Sequence, residues 1–179
     1  MNPTRLGRLA LAAFLALYGF RMLRHPDAGS LMDSVDLPIH ETGHLVFAPF
    51  GEFVQFLGGT LFQLIIPIAF VVYFARRKDV FAACCGMWWV AQNLWNISVY
   101  IADARAEVLP LVGGGEHDWA HLLGRMGWLK FDHVIAHDVW FVGVIVYLIA
   151  LVGGARTLLT EPAAPAQFAD DAHRSAEVS

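Results

Sequence analysis

The chain is short of charge. Of its 179 residues only 16% are Asp, Glu, Lys or Arg, against ~25% in an ordinary soluble domain. Hydrophobic residues make up 57% and the mean hydropathy is +0.52, where ~45–50% apolar is usual. This excludes intrinsic disorder for most of the chain and argues against a simple soluble domain. There is no basic excess either: 12 Lys and Arg face 16 Asp and Glu, for a net charge of -4. A nucleic-acid partner is therefore not expected. Cysteine is scarce too. Cys84 and Cys85 are adjacent, and neighbouring residues rarely meet disulfide geometry, so both read as small buried hydrophobes.

What the chain does have is apolar segments and histidine. At ~20 residues per span, its length allows four or five crossings of a bilayer. Residues 6–23 form the first, with Arg8 and Arg21 placed to snorkel to the two interfaces. Arg5 and Arg8 resemble the n-region of a signal peptide. Arg21, Arg24 and His25 follow the apolar core, however, and no small-x-small cleavage site precedes them, which favours a retained span. Residues 57–75, 80–104 and 134–153 supply three more. Residues 37–56 are interrupted by Pro49 and Gly51 and contain Glu41 and Glu52. Their apolar part, residues 37–50, is ~14 residues long and too short to cross. The expectation is an all-α polytopic integral membrane protein with about four transmembrane helices and one short re-entrant or interfacial helix. Residues 1–153 form a single membrane domain. Residues 154–179, rich in Ala, Pro and charge, read as a disordered tail.

Orientation follows from Arg76-Arg77-Lys78, because cytoplasmic loops collect Lys and Arg. With that cluster inside, both termini are cytoplasmic. The 105–133 segment and the re-entrant helix then face the external, periplasmic side of what would be a bacterial inner membrane.

Residues 40–44 read His-Glu-Thr-Gly-His. On a helix His40 and His44 share one face. Two imidazoles so placed can bind one Zn²⁺, and Glu41 can serve as general base toward a metal-activated water. The plainer reading is a polar helix start that binds no metal. Three ionisable residues within five, in an apolar segment, weigh against it, since each costs ~2.5–3.5 kcal/mol at membrane depth.

A catalytic zinc usually has three protein ligands. Asn93, Asn96, Tyr100 and Asp103 recur at i, i+3, i+7 and i+10, on one face of the 80–104 helix. Asp103 lies at its outer end, level with the motif, and ranks first as third ligand. The two asparagines can instead form a seam of interhelical hydrogen bonds. His117 ranks next, because the run Gly113-Gly114-Gly115 before it lets its loop adapt. His117/His121 and His133/His137 repeat the i, i+4 spacing, and all three pairs fall on the external side. His133 and His137 read as interface residues, and Asp33, Asp36 and Asp118 as acceptors that could orient the ligating imidazoles. Arg105 marks a membrane boundary or stabilises an oxyanion.

The stretch HETGHLVFAPFGEFVQFLGGTLFQLIIPIAF resembles the core of site-2-protease-type intramembrane zinc metalloproteases. The resemblance covers about residues 37–70 and is specific only over the five-residue motif. It implies His40 and His44 as zinc ligands, Glu41 as base and a later Asp, here Asp103, as third ligand. It also implies a peptide or membrane-protein substrate. That family's Leu-Asp-Gly is replaced by Ala102-Asp103-Ala104, and its site usually faces the cytosol. The YIADAR and HDW stretches are similar to ones in compact bacterial membrane proteins of unassigned activity. Beside a zinc hydrolase stand two alternatives: a di-iron oxidase-like protein built on histidine boxes, and a membrane metal-binding protein without catalysis. Histidine boxes usually supply about eight histidines, and only six are paired here.

Overall fold

The computed structural model describes residues 3–110 and 115–160. Among these the protein is all-helical. Six α-helices follow one another: α1 (Pro3–Arg24), α2 (Asp33–Phe47), α3 (Glu52–Arg76), α4 (Val80–Ala102), α5 (Asp118–Arg125) and α6 (Asp132–Thr160). Single 3₁₀ turns, Pro26–Ala28, Ala48–Phe50 and Leu129–Phe131, precede α2, α3 and α6.

Three stretches are long and apolar enough to cross a membrane: Pro3–Arg24, Glu52–Arg76 and Leu129–Thr160. The fourth expected span, residues 80–104, is helical as α4 but falls outside that set, because its sequence carries Gln92, Asn93, Asn96 and Ser98. Gln92, Asn93 and Ser98 are buried inside the bundle. Polarity that lowers the hydropathy of α4 is thus turned toward protein.

The helices stack up and down. Gly86 of α4 meets Val71 of α3, Gln63 meets Asn96, and Gly143 of α6 meets Trp95 of α4. The start of α3, the end of α4, all of α5 and the start of α6 therefore share one end of the bundle. Arg76, Arg77 and Lys78 lie at the other. α1 leans on the α4/α6 face. Trp88 Nε1 donates to the Leu15 carbonyl and Tyr147 Oη to that of Ala16, at 2.8 and 2.6 Å. Trp88, Trp95 and Tyr147 join Met22 in the larger apolar cluster.

Local chemistry explains the helix ends. Asp79 caps α4 by accepting from the Ala82 amide, and Asp33 and Asp36 place negative charge in the first turn of α2, where the helix dipole favours it. α6 does not stop near residue 153, where the tail was expected to begin. Gly153 and Gly154 lie against Cys84, Leu158 is buried, and Arg5 donates to the Leu158 carbonyl, so packing carries the helix through Thr160. The rest of that expected tail, 161–179, lies outside the described residues.

The approach to α2 is the unusual part. The hydroxyl of Tyr18, well before the end of α1, hydrogen-bonds Ser30 Oγ at 3.1 Å and accepts from the Leu31 amide. The chain leaving α1 therefore folds back into the bundle before α2 begins. At the start of α2, Asp36 accepts from Trp89 Nε1 of α4 at 2.8 Å. α2 then runs outward, antiparallel to α3, and turns into it at Gly51, whose φ of 95° suits glycine.

α2 lies on α3 through bare backbone. A Cβ on Gly43 would collide with the Gly58 carbonyl, and one on Gly58 would meet Phe47 Cβ at 2.6 Å. Small residues of this kind permit close helix crossings in membranes. Gly43→Ala should therefore cost about 1–3 kcal/mol, the usual range for an overpacked contact, read as a lower midpoint in thermal unfolding of the detergent-solubilised chain. Gly7→Ala, at a helical position where nothing lies within 4 Å, should not lower that midpoint.

Candidate metal centre

His40 and His44 occupy adjacent turns of α2, with ring centroids 4.8 Å apart and planes at 80°. Each ring is fixed from behind. His44 Nδ1 lies 2.8 Å from the Gln55 carbonyl, an acceptor only, so Nδ1 carries the proton. His40 Nδ1 lies 3.0 Å from Gln63 Oε1.

The Gln63 orientation follows from a chain of bonds. Asp33 Oδ1 accepts from Asn96 Nδ2 at 3.2 Å. Asn96 Oδ1 accordingly accepts from Gln63 Nε2 at 2.9 Å, which leaves Gln63 Oε1 to accept from His40 Nδ1–H. A carboxylate at one end thus sets the tautomer at the other. In both imidazoles Nε2 is the atom that faces forward.

Both Nε2 atoms converge on one oxygen. Asp118 Oδ2 is 2.9 Å from His40 Nε2 and 3.2 Å from His44 Nε2. Ligand atoms of a tetrahedral zinc lie about 3.3 Å apart, from bond lengths of ~2.0–2.2 Å, so the spacing is close to what a metal requires. Among the described residues, His40, His44 and Asp118 form a group whose ligand atoms all lie within 4.8 Å of one another. His40 and Asp118 are buried, and His44 is 18% exposed at its side chain. The donor set, two neutral imidazoles and a carboxylate with both Nδ1–H groups bonded to oxygen, fits a divalent metal such as zinc.

The electrostatics fit the same contact. Burial pushes the Asp118 carboxyl up, but hydrogen bonds from the Nε2–H groups of the two rings, protons that a bound metal would displace, outweigh it and hold the group below its ordinary value. The hydrogen bond to Asp118 in turn raises His44 above the usual imidazole value, against burial.

A cavity of about 610 Å³ is lined by all three residues together with Glu41 and Tyr100, within the ~300–1,000 Å³ of ordinary ligand sites. Glu41 is exposed. Tyr100 Oη accepts from the Asp118 amide at 3.3 Å, which leaves its own proton available.

The remaining sequence candidates lie elsewhere. Asp103 is not drawn to the His40/His44 pair. α4 ends at Ala102, and the Asp103 carboxylate turns to accept from the amides of Val108 and Leu109, at 3.0 Å each. His117 does not face the pair either. It is 1% exposed, its Nδ1 accepts from the Ala120 amide as the cap of α5, and its Nε2 lies 3.4 Å from Asp103 Oδ2. The two residues clamp the segment that presents Asp118 and are not grouped with His40 and His44. His121 stacks on Phe56 at 4.0 Å, and His133 and His137 are exposed. Arg105 pairs with Asp132 at 2.7 Å, tying α4 to α6. Gly113 and Gly114, expected to lend their loop freedom, lie outside the described residues.

The sequence marks Asp118 only as an orienting acceptor. Its signal was weak: it follows a histidine in a polar loop, on no apolar helical face. Asp33 does orient His40, but through Asn96 and Gln63. Gly59 lies directly beneath that ring, where a Cβ would come within 2.5 Å of Nε2.

No family model, no curated protein and no solved structure matches this chain.

Gln63→Leu should weaken metal binding about 10–100-fold, the usual cost of losing a partner behind a ligating histidine. Competition titration of Zn²⁺ against a fluorescent chelator reads this directly. Unchanged affinity would show that the Asp33–Asn96–Gln63 line does not position His40.

Proposed function

We propose that this protein is an integral membrane zinc-dependent hydrolase acting on an amide bond, most simply that of a peptide or membrane-protein segment. The observation that carries the reading is the convergence of His40, His44 and Asp118 on one point, in the wall of a cavity that also contains the Glu41 carboxylate. When bound, zinc would lower the pKa of a water molecule and polarise the scissile carbonyl. Glu41 takes the proton of the attacking water and returns it to the leaving amine. Tyr100 donates its free O–H to the developing oxyanion. Asp118 and the two imidazoles would hold the metal, and Gln63 and the Gln55 carbonyl keep the rings from turning.

The membrane arrangement belongs to the same proposal. α4 counts as a fourth span: at 23 residues it is ~35 Å long, enough for a hydrocarbon core of ~30 Å, with its amides shielded by protein. α2, entered from a segment folded back beside Tyr18, serves as the re-entrant helix. The opposite placement of Arg76-Arg77-Lys78 supports a site on the external side of the membrane. The sequence resemblance supports a bacterial inner membrane.

The test is metal analysis of the purified protein. Wild type should carry about one zinc per chain. Glu41→Gln should retain it, and His44→Ala and Asp118→Ala should lose it. A wild-type protein that takes up no metal overturns the proposal. For the orientation, Glu116→Cys in intact cells should react with a membrane-impermeant maleimide, and Lys78→Cys should react only after permeabilisation.

A further inference from the structure

The cavity that holds the proposed centre has a one-sided charge. Asp27, Asp33, Glu41, Glu116 and Asp118 all line it, and among the described residues no Lys or Arg does. Asp27, Glu41 and Glu116 are exposed, and the first and last stand on separate segments, before α2 and before α5. Of the guanidiniums at this end of the bundle, Arg105 pairs with Asp132 and Arg125 with Glu52 at 2.9 Å; Arg21 stands at the rim, 3.4 Å from the carbonyl of the lining residue Gly29, and Arg24 lies over the ring of Phe20. Five carboxylates against one divalent cation leave the site net negative even when loaded.

Such a cleft concentrates cations and repels anions, because low-dielectric walls focus the field inside it. The apolar part of the lining, including Leu37, Phe56 and Ile97, suits an uncharged flank of the same molecule. Resting on the hydrolase reading above, we infer that the substrate carries a positive charge next to the scissile amide: a lysine or arginine side chain, or a free α-amine, on an otherwise apolar peptide. Asp27 and Glu116 determine this preference. Neither belongs to the ligand set; both line the cavity and are exposed, and Glu116 Oε2 lies 3.3 Å from His121 Nδ1.

Hydroxamates, which bind catalytic zinc directly, test this on the zinc-loaded 179-residue chain in lipid nanodiscs, with metal content measured in every sample. Three probes are compared by calorimetry at low ionic strength: acetohydroxamate, N-acetyl-lysine hydroxamate and N-acetyl-glutamate hydroxamate. The lysine probe should bind roughly tenfold or more tighter than the glutamate probe, and the ratio should shrink as salt screens the field. In the double variant Asp27→Asn/Glu116→Gln the ratio should fall toward one. Equal or reversed affinities in wild type, with acetohydroxamate binding normally, overturn the charge preference alone. A ratio that the double variant leaves unaltered overturns the assignment to Asp27 and Glu116. Failure of acetohydroxamate itself to bind overturns the hydrolase reading, and this inference with it.

Discussion

The closeness of α2 to α3 governs the geometry of the candidate metal centre. Gly43 and Gly58 meet backbone to backbone, and Gly59 leaves room for the ring of His40. Only at that separation can His44 reach the Gln55 carbonyl and His40 reach Gln63. A residue with a Cβ at either crossing glycine would move α2 outward and withdraw both imidazoles together. In an apolar medium there is little hydrophobic gain from packing helix on helix, so van der Waals contact and interhelical hydrogen bonds must do the holding. The crossing supplies the first and thereby permits the second.

Hydrogen bonds explain how the apolar bundle tolerates the polar residues behind His40. A buried polar group without a partner is costly, and along this one line the groups satisfy one another in sequence. Asp33, Asn96, Gln63 and His40 form a line in which each donor and acceptor is assigned by its neighbour. The line runs across α2, α4 and α3, and it ends with Nε2 of His40 facing Asp118. The same bonds that remove the cost of burial also select the tautomer that can bind a metal. Structural satisfaction and the chemistry of the site are one arrangement.

Much of this was legible in the chain. The HETGH spacing names two imidazoles on one helical face, and the apolar runs name the long helices. The seam of Asn93, Asn96 and Tyr100 was visible as a period. Its meaning was not, because periodicity shows which residues share a face and says nothing about what lies opposite. Asp103 shared the face but stood one residue past the end of α4, where its carboxylate could fold back onto the amides of Val108 and Leu109. Asp118 shared no face with anything, and a short helix delivered it. α4 shows the converse: its composition understates it as an apolar element, because its polar side chains turn inward.

The sequence by itself determined the helical, apolar character of the protein, the pairing of His40 with His44, and the separation of the basic cluster from the histidine-rich end. These depend on neighbours within a few turns of one helix, whose relative placement is set by 3.6 residues per turn. The tertiary structure alone decided that Asp118 stands at the pair, that Asp33 acts on His40 of its own helix by way of α4 and α3, and that His117 uses its lone pair as a helix cap. Those outcomes depend on how separate helices cross and where a loop returns. Residues 78 positions apart, as His40 and Asp118 are, have no fixed relation until packing gives them one.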